Sequence, residues 1–108
     1  MSLPKLVRDK IPELIVNSGQ SPVFEPADNS ELAYFLFAKL DEEIGEFKED
    51  PSVEEAADIY EAFLALCENF NMSIEEILSA AHDKRNTKGA FKKSFILQCR
   101  CRYQYLTC

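Results

Sequence analysis

The chain has little glycine and no long apolar run. Only three of its 108 residues are glycine, and the apolar residues recur mostly at spacings of three and four, which is typical of amphipathic helices. We therefore predict an all-α fold with a partly irregular N-terminal arm. No segment approaches the ~20 consecutive apolar residues of a membrane span, so we expect a soluble, cytoplasmic protein without a membrane partner.

Positive charge is also scarce. Twelve Lys and Arg residues stand against 19 Asp and Glu residues, which gives a formal net charge of −7. Binding to nucleic acid or to an anionic membrane surface depends on clustered basic residues. This balance argues against both kinds of partner, and an anionic ligand would need a metal ion to mediate its binding.

The four cysteines do not form the pattern of a disulfide scaffold or of a zinc site. Cys67 lies in the apolar stripe of a predicted helix, and the other three crowd the C-terminus. Cys99 and Cys101 are closer together than most zinc-ligand pairs, and the single histidine, His82, belongs to another predicted helix. Reduced thiols are the expectation.

The length of the chain fits one domain built from four helices. Helices are predicted over about residues 10–18, 29–49, 53–70 and 74–88. Asp9 is the expected cap of the first helix. Asp28 with Glu31 has the form of a capping box at the second helix. Ser52 with Glu55 has the same form at the third.

The strongest chemical signal is a pair of acidic motifs on either side of a predicted turn. Glu42-Glu43-x-x-Glu46 lies near the end of the second helix, and Glu55-x-x-Asp58 opens the third. Spacings of three put carboxylates side by side, and at a rise of ~1.5 Å per residue the two pairs lie at matching heights. Such crowding of negative charge needs protonation or a cation, and a hard divalent ion, Mg²⁺ first, is the natural one.

Helix capping and surface charge are the alternative interpretations of these carboxylates. Glu55 fits a cap, because acidic residues favour the first turn of a helix. Glu43 fits poorly, because at ~100° per residue it falls within the apolar arc of its own helix. A lone carboxylate there would be costly to desolvate. Glu42 and Glu46 flank that arc.

Basic residues gather in the last turns of the fourth predicted helix. Lys84, Arg85 and Lys88 precede Gly89, which is the expected helix stop. Their side chains suit two roles. They would interact favourably with the negative C-terminal end of the helix, or they would bind phosphate.

The third predicted helix is apolar or small-sided nearly all round. Its back, on the side of the acidic pair, carries Ala62 and Ala65 instead of long polar side chains. A helix of this kind is usually buried on both sides. Four helices have little material to cover both sides, so we predict a homodimer with a shared bundle, in which the two alanines approach a helix of the partner. The front face is Val53, Ala56, Tyr60, Phe63, Leu64 and Cys67.

Three stretches resemble the MazG-like, all-α nucleoside triphosphate pyrophosphohydrolases, a group that includes the phosphoribosyl-ATP pyrophosphohydrolases. The two acidic motifs are similar to the paired metal motif of the family. Residues 5–12 and 84–91 are similar to the opening and the basic close of a small single-domain subgroup, although Ala90 replaces a glycine often seen there. We expect the domain to span residues 1–97, followed by an extension over 98–108 that resembles nothing known to us.

The resemblance implies a MazG-like helical bundle completed by homodimerisation, which cleaves a nucleoside triphosphate to a monophosphate and pyrophosphate. Water would attack the α-phosphorus with the aid of Mg²⁺ or Mn²⁺. Glu42 would orient or deprotonate that water. The implied metal ligands are Glu43, Glu46, Glu55 and Asp58. The implied phosphate-binding residues are Lys84, Arg85, Lys88 and Arg8.

Two other functions fit the sequence. Hydrolysis of phosphoribosyl-ATP would use the same metal chemistry. A helical dimerisation module without catalytic activity would use the acidic groove to bind a cation or a basic partner.

Overall fold

The computed structural model describes residues 4–98, and every regular element in that range is an α-helix, as predicted. None of these helices is both long enough and apolar enough to cross a membrane. The chain forms two compact units, Met1–Ile74 and Glu75–Cys108. The helices are α1 (Ile11–Asn17), α2 (Asn29–Glu49), α3 (Val53–Asn69) and α4 (Ile74–Lys88).

The predictions for the C-terminal segment mostly fall outside the described residues. Cys99, Cys101 and Cys108 lie there, as does nearly all of the extension expected over residues 98–108. The domain boundary after residue 97 stays a prediction. Cys67 is described, and it is a buried free thiol in α3.

The irregular N-terminal arm leads into α1 through a turn, and the predicted cap of α1 is wrong. Residues 4–8 have no regular structure. Lys10, and not Asp9, occupies the N-cap position, and no side chain caps the helix. The reason is that Ile11 N donates to Arg8 O at 3.0 Å, which places Asp9 inside the turn. Gly19, with φ of +92°, follows the C-cap residue Ser18.

The predicted capping box of α2 is confirmed. Asp28 Oδ1 accepts hydrogen bonds from Ser30 N at 3.0 Å and from Glu31 N at 2.9 Å. The Glu31 side chain accepts from Asp28 N at 3.2 Å. The Ser30 hydroxyl also donates to Asp28, and these hydrogen bonds hold the pKa of the Asp28 carboxyl below its usual value. Three backbone donors at the start of α2, the N–H groups of Asp28, Ser30 and Glu31, are thereby satisfied.

Only half of the second predicted box forms. Ser52 Oγ accepts from Glu55 N at 3.2 Å and caps α3. The returning bond from the Glu55 carboxylate to the Ser52 backbone is not made. At the other end of the described chain, Gly89 has φ of +87° and donates to Arg85 O at 2.9 Å. Gly89 therefore stops α4 as predicted.

Helices α2 and α3 pack together as a hairpin closed by the turn of residues 50–52, and this contact holds the small core. Leu36 of α2 is buried in it, together with Ala62, Leu66 and Cys67 of α3. The only buried charged residue in the described chain is Glu43.

The orientation of α3 corrects the interpretation of its two faces. The back of the helix turns inward in its own chain, so that Ala62 is buried in the hairpin. Much of the front face is open, with Val53 81%, Tyr60 51% and Phe63 37% exposed. The acidic pair faces α2, and residues four and seven positions beyond Asp58 must share its side of the helix. Ala62 and Ala65 therefore lie on the side of α3 that faces α2, as the carboxylates do.

The buried position of Leu66 makes a stability prediction. Leu66 is 7% exposed, whereas Leu78 of α4 is 62% exposed. We expect Leu66→Ala to lower the free energy of unfolding by about 2–5 kcal/mol, because it removes buried methyl groups and leaves a cavity. Leu78→Ala is the matched control and should change stability by roughly 1 kcal/mol or less. Urea unfolding followed by circular dichroism, at one protein concentration, measures both. Equal losses would contradict this description of the core.

Candidate metal centre

Four carboxylates converge at the closed end of the α2–α3 hairpin. One oxygen from each side chain lies within 4.8 Å of every other. The turn at residues 50–52 is short enough to set the two acidic motifs opposite each other, as the sequence predicts. The converging residues are Glu43, Glu46, Glu55 and Asp58.

Glu43 is the most constrained member of this cluster. Glu43 is only 6% exposed. Its Oε1 forms an ion pair with Lys39 Nζ at 3.2 Å, but its buried Oε2 has no hydrogen-bond partner among the described residues. Burial raises the pKa of the Glu43 carboxyl, against the lowering effect of Lys39 and with further raising by Glu46 and Asp58. A buried acceptor without a donor is costly, so this oxygen is a ready ligand for a cation.

Glu55 also directs an unpartnered oxygen into the hairpin. Its Oε2 is buried and has no hydrogen-bond partner. The capping role belongs to Ser52, whose hydroxyl accepts from the backbone of Glu55. The alternative interpretation of Glu55 as a cap therefore accounts for its backbone N–H and not for its carboxylate.

The spacing of the oxygens can be compared with the size of an ion. Mg²⁺ binds oxygen at about 2.0–2.1 Å, so two of its ligands lie at most about 4.2 Å apart. Ca²⁺ binds at about 2.3–2.6 Å, which allows up to about 5.2 Å. The observed limit of 4.8 Å suits the larger ion as it stands. For Mg²⁺ to bind all four oxygens, the side chains must move closer together by roughly half an ångström.

Asp58 already has a cationic partner from the N-terminal arm. Arg8 Nη2 donates to Asp58 Oδ1 at 2.6 Å, with both side chains more than a third exposed. A metal ion and Arg8 would compete for the same carboxylate. Arg8 as a phosphate ligand stays a prediction, and it requires the guanidinium to exchange or share this bond.

Glu42 lies beside the cluster and not within it. Its Oε1 is 3.4 Å from Lys5 Nζ, and its Oε2 is 3.5 Å from Lys39 Nζ. The two lysines hold the carboxylate from both sides. A catalytic role for Glu42 stays a prediction.

The three basic residues predicted to bind phosphate lie on α4, in the second compact unit. Lys84, Arg85 and Lys88 are all exposed. Arg85 and Lys88 occupy the last turn of the helix, where a positive charge is favourable in any case. Their phosphate contacts also stay predictions.

Lys39 is a member of the site that the sequence interpretation missed. Its side chain is only 20% exposed and its ammonium pairs with Glu42 and Glu43. The signal was present, because a lysine three and four residues before two glutamates on one helix face is placed to pair with both.

Comparison with known proteins gives little further information. An uncharacterized protein of Mycolicibacterium smegmatis is 48% identical to the chain over 46 residues, which make up 43% of this chain and 47% of that protein. The chain thus spans about half the length of this relative. No protein-family model matches the chain. No solved structure matches it either.

The burial of Glu43 makes stability depend on pH. Its pKa is raised above the ordinary 4.5, so the folded state binds this proton more tightly than the unfolded state. The resulting stabilisation is complete below about pH 4.5 and is lost as pH rises through the folded pKa. In the presence of a chelator, we expect Glu43→Gln to gain stability relative to wild type as pH increases from 4.5 to 7.

Glu49→Gln is the matched control, since Glu49 is an exposed residue of the same helix. Its stability should stay parallel to that of the wild type across the same range. Thermal unfolding at several pH values measures both variants. A Glu43→Gln curve that ran parallel to the wild type would show that this carboxyl is not desolvated.

Proposed function

We propose that the protein is a MazG-like nucleotide pyrophosphohydrolase that depends on Mg²⁺, or Mn²⁺ in its place, and cleaves a nucleoside triphosphate to a monophosphate and pyrophosphate. The observation that carries the proposal is the pair of buried, unpartnered oxygens on Glu43 and Glu55, within a cluster of four carboxylates. Surface charge does not explain oxygens that are removed from water. A divalent cation satisfies both of them.

The residues present fit such an ion. Glu43, Glu46, Glu55 and Asp58 provide the hard oxygen ligands that Mg²⁺ prefers. When bound, the ion supplies neutralisation of the phosphates and a lowered pKa for bound water.

Glu42 then accepts the proton of the attacking water. The water oxygen bonds to the α-phosphorus, the bond from that phosphorus to the bridging oxygen breaks, and pyrophosphate leaves with its electron pair. Lys5 and Lys39 hold the Glu42 carboxylate on both sides, which fixes its direction. A general base must be held within reach of the proton that it removes, and this positioning is the contribution of the two lysines.

The cationic groups complete the proposal. Arg8 exchanges Asp58 for a phosphate oxygen when substrate binds, and so converts an internal ion pair into a substrate contact. Phosphate binding by Lys84, Arg85 and Lys88 of α4, which the family resemblance implies, remains a separate part of the proposal.

The experiment that tests the function separates metal binding from water activation. Wild type, Asp58→Asn, Glu42→Gln and the control Glu49→Gln are incubated with a panel of nucleoside triphosphates, and pyrophosphate is measured across an Mg²⁺ titration. Asp58→Asn should lower activity in a way that extra Mg²⁺ partly restores. Glu42→Gln should lower turnover at saturating Mg²⁺ by about 100-fold or more. The control should match wild type.

Two outcomes would contradict this proposal. Near-normal turnover of Glu42→Gln, with Asp58→Asn inactive, would remove the proton-accepting role from Glu42. Absence of pyrophosphate release from every triphosphate would favour phosphoribosyl-ATP as substrate. If that compound were also inert, a cation-binding module without catalytic activity would be the better description.

We further propose that the bundle is completed by a second copy of the chain. Val53, Tyr60 and Phe63 share one face of α3 at spacings of seven and three, and all three are exposed in the single chain. Phe37 and Phe70, which contact each other at 6.2 Å between ring centroids, are also about half exposed. Clustered apolar surface of this kind marks an interface.

A change at Phe63 tests the dimer. Phe63→Glu places a charge in the proposed interface and should convert a dimer to a monomer at micromolar concentration, with helix content retained. Glu54→Gln, on an exposed residue of the same helix, is the control and should leave the dimer intact. Light scattering coupled to size exclusion measures the mass. A monomeric wild type would contradict the proposal.

A further inference from the structure

A groove runs between the N-terminal arm and the α2–α3 hairpin, and we call it the arm groove. Leu6 and Val7 of the arm form one wall, Leu32 and Leu36 of α2 form another, and Ala62 and Ala65 of α3 form the floor. The two alanines create the space, because larger side chains at these positions would fill it. Its volume is about 710 Å³, and small-molecule sites commonly span about 300–1,000 Å³.

The arm groove is continuous with the carboxylate cluster. Glu43 and Asp58 line it as well. Glu43 is more than nine-tenths buried, and its Oε2 has no partner. A ligand in the groove would therefore have one end beside the proposed metal ion. Ala65 follows Asp58 by seven residues, which is about 10 Å along the helix axis.

Charge decides which part of a nucleotide enters the groove. The arm and α2 contribute the cations Arg8, Lys10 and Lys39 to the lining, whereas beyond Asp58 the charged residues of α3 in the lining are Glu61 and Glu68. Arg8 and Lys39 pair with Asp58 and Glu43, so their positive charge lies at the metal end. Glu61 and Glu68 repel phosphate, so the polyphosphate is favoured at the metal end. The uncharged sugar and base can extend over the alanine floor between the apolar walls.

The same carboxylates favour one kind of base. Glu61 and Glu68 are seven residues apart and so share one side of α3. A carboxylate accepts hydrogen bonds and donates none. An exocyclic amino group on the base would satisfy this rim, whereas a carbonyl at the same position would be repelled.

On these observations we infer that the arm groove is the nucleoside subsite of the protein and that it selects bases with an exocyclic amino group. The inference rests on the proposed function, because it needs a nucleotide whose phosphates are held at the carboxylate cluster. The N-terminal arm then has a definite task. Its ion pair from Lys5 to Glu42 holds a wall of the subsite in place, and Arg8, on leaving Asp58 for a phosphate oxygen, keeps the arm at the metal end.

Binding measurements test the inference. The probes are inorganic tripolyphosphate and the α,β-methylene analogues of dATP and dITP, which resist cleavage at the α-phosphorus. The bases of the two analogues differ at position 6, which carries an amino group in one and a carbonyl in the other, and at N1, which carries a proton only beside the carbonyl. Isothermal titration calorimetry is run on the full chain with Mg²⁺. We expect the dATP analogue to bind at least tenfold more tightly than tripolyphosphate and roughly tenfold more tightly than the dITP analogue.

Two variants locate the effect in the arm groove. Ala65→Leu fills the floor and should remove the gain of the nucleotide analogue over tripolyphosphate, with tripolyphosphate binding unchanged. Mg²⁺ binds the folded state in the proposed function and should therefore raise the melting temperature of this variant as much as that of wild type. Ala80→Leu is the matched control, since Ala80 is an exposed residue of α4 that does not line the arm groove. If Ala65→Leu does not fold, Val7→Ala removes part of the wall and should weaken only the nucleotide analogue.

The possible outcomes distinguish a failure of the proposed subsite from a failure of the proposed function. Tripolyphosphate that binds as tightly as the nucleotide analogues would overturn the subsite and leave the metal centre in place. Equal losses in Ala65→Leu and Ala80→Leu would also overturn the subsite. A dITP analogue that bound as well as its partner would overturn the base preference. No Mg²⁺ response and no tripolyphosphate binding would overturn the proposed function, and the subsite with it.

Discussion

The desolvation of one carboxylate is the constraint on which the rest of this structure depends. Glu43 lies in the interface between α2 and α3, with one oxygen paired to Lys39 and the other without a partner. A folded chain tolerates such a group only if the surroundings compensate for it. Lys39 compensates in part, and the carboxylates of Glu46 and Asp58 worsen the balance. The interface between α2 and α3 therefore contains negative charge that is only partly compensated, and a divalent cation is suited to neutralise it.

The basic residues around this buried negative charge can either pair with its acidic side chains or bind an anionic ligand. Lys5, Arg8 and Lys39 each pair with an acidic residue of the motif region. The exposed pairs contribute little to stability, because water and salt screen them. Their weakness suits exchange, since a contact worth little can be given up when a more strongly charged ligand arrives. The chain has a net charge of −7. Lys5, Arg8 and Lys39 therefore offset part of the repulsion among the carboxylates of the acidic motifs.

Local sequence signals predicted most of the fold and the convergence of the carboxylates. The bounds of α2, its capping box and the stop at Gly89 depend on neighbouring residues alone, and all three were predictable. The cap of α1 failed because the turn at Arg8 shifts the helix start by a residue. The prediction of which face of α3 packs within its own chain was wrong for a different reason. Its apolar front outweighs its small-sided back in any count of hydrophobic residues, but the carboxylates at its start determine which side turns to α2.

The short turn between the acidic motifs also has a consequence for folding kinetics. The four carboxylates lie within one hairpin, so the cluster forms through contacts that are close in sequence, and such contacts form early. Repulsion between the two acidic pairs then acts while the hairpin is closing, before the rest of the chain has packed. A cation that screens this repulsion lowers the barrier to closure, and its effect belongs to the folding rate more than to the unfolding rate. The metal would thus help to build the structure that binds it.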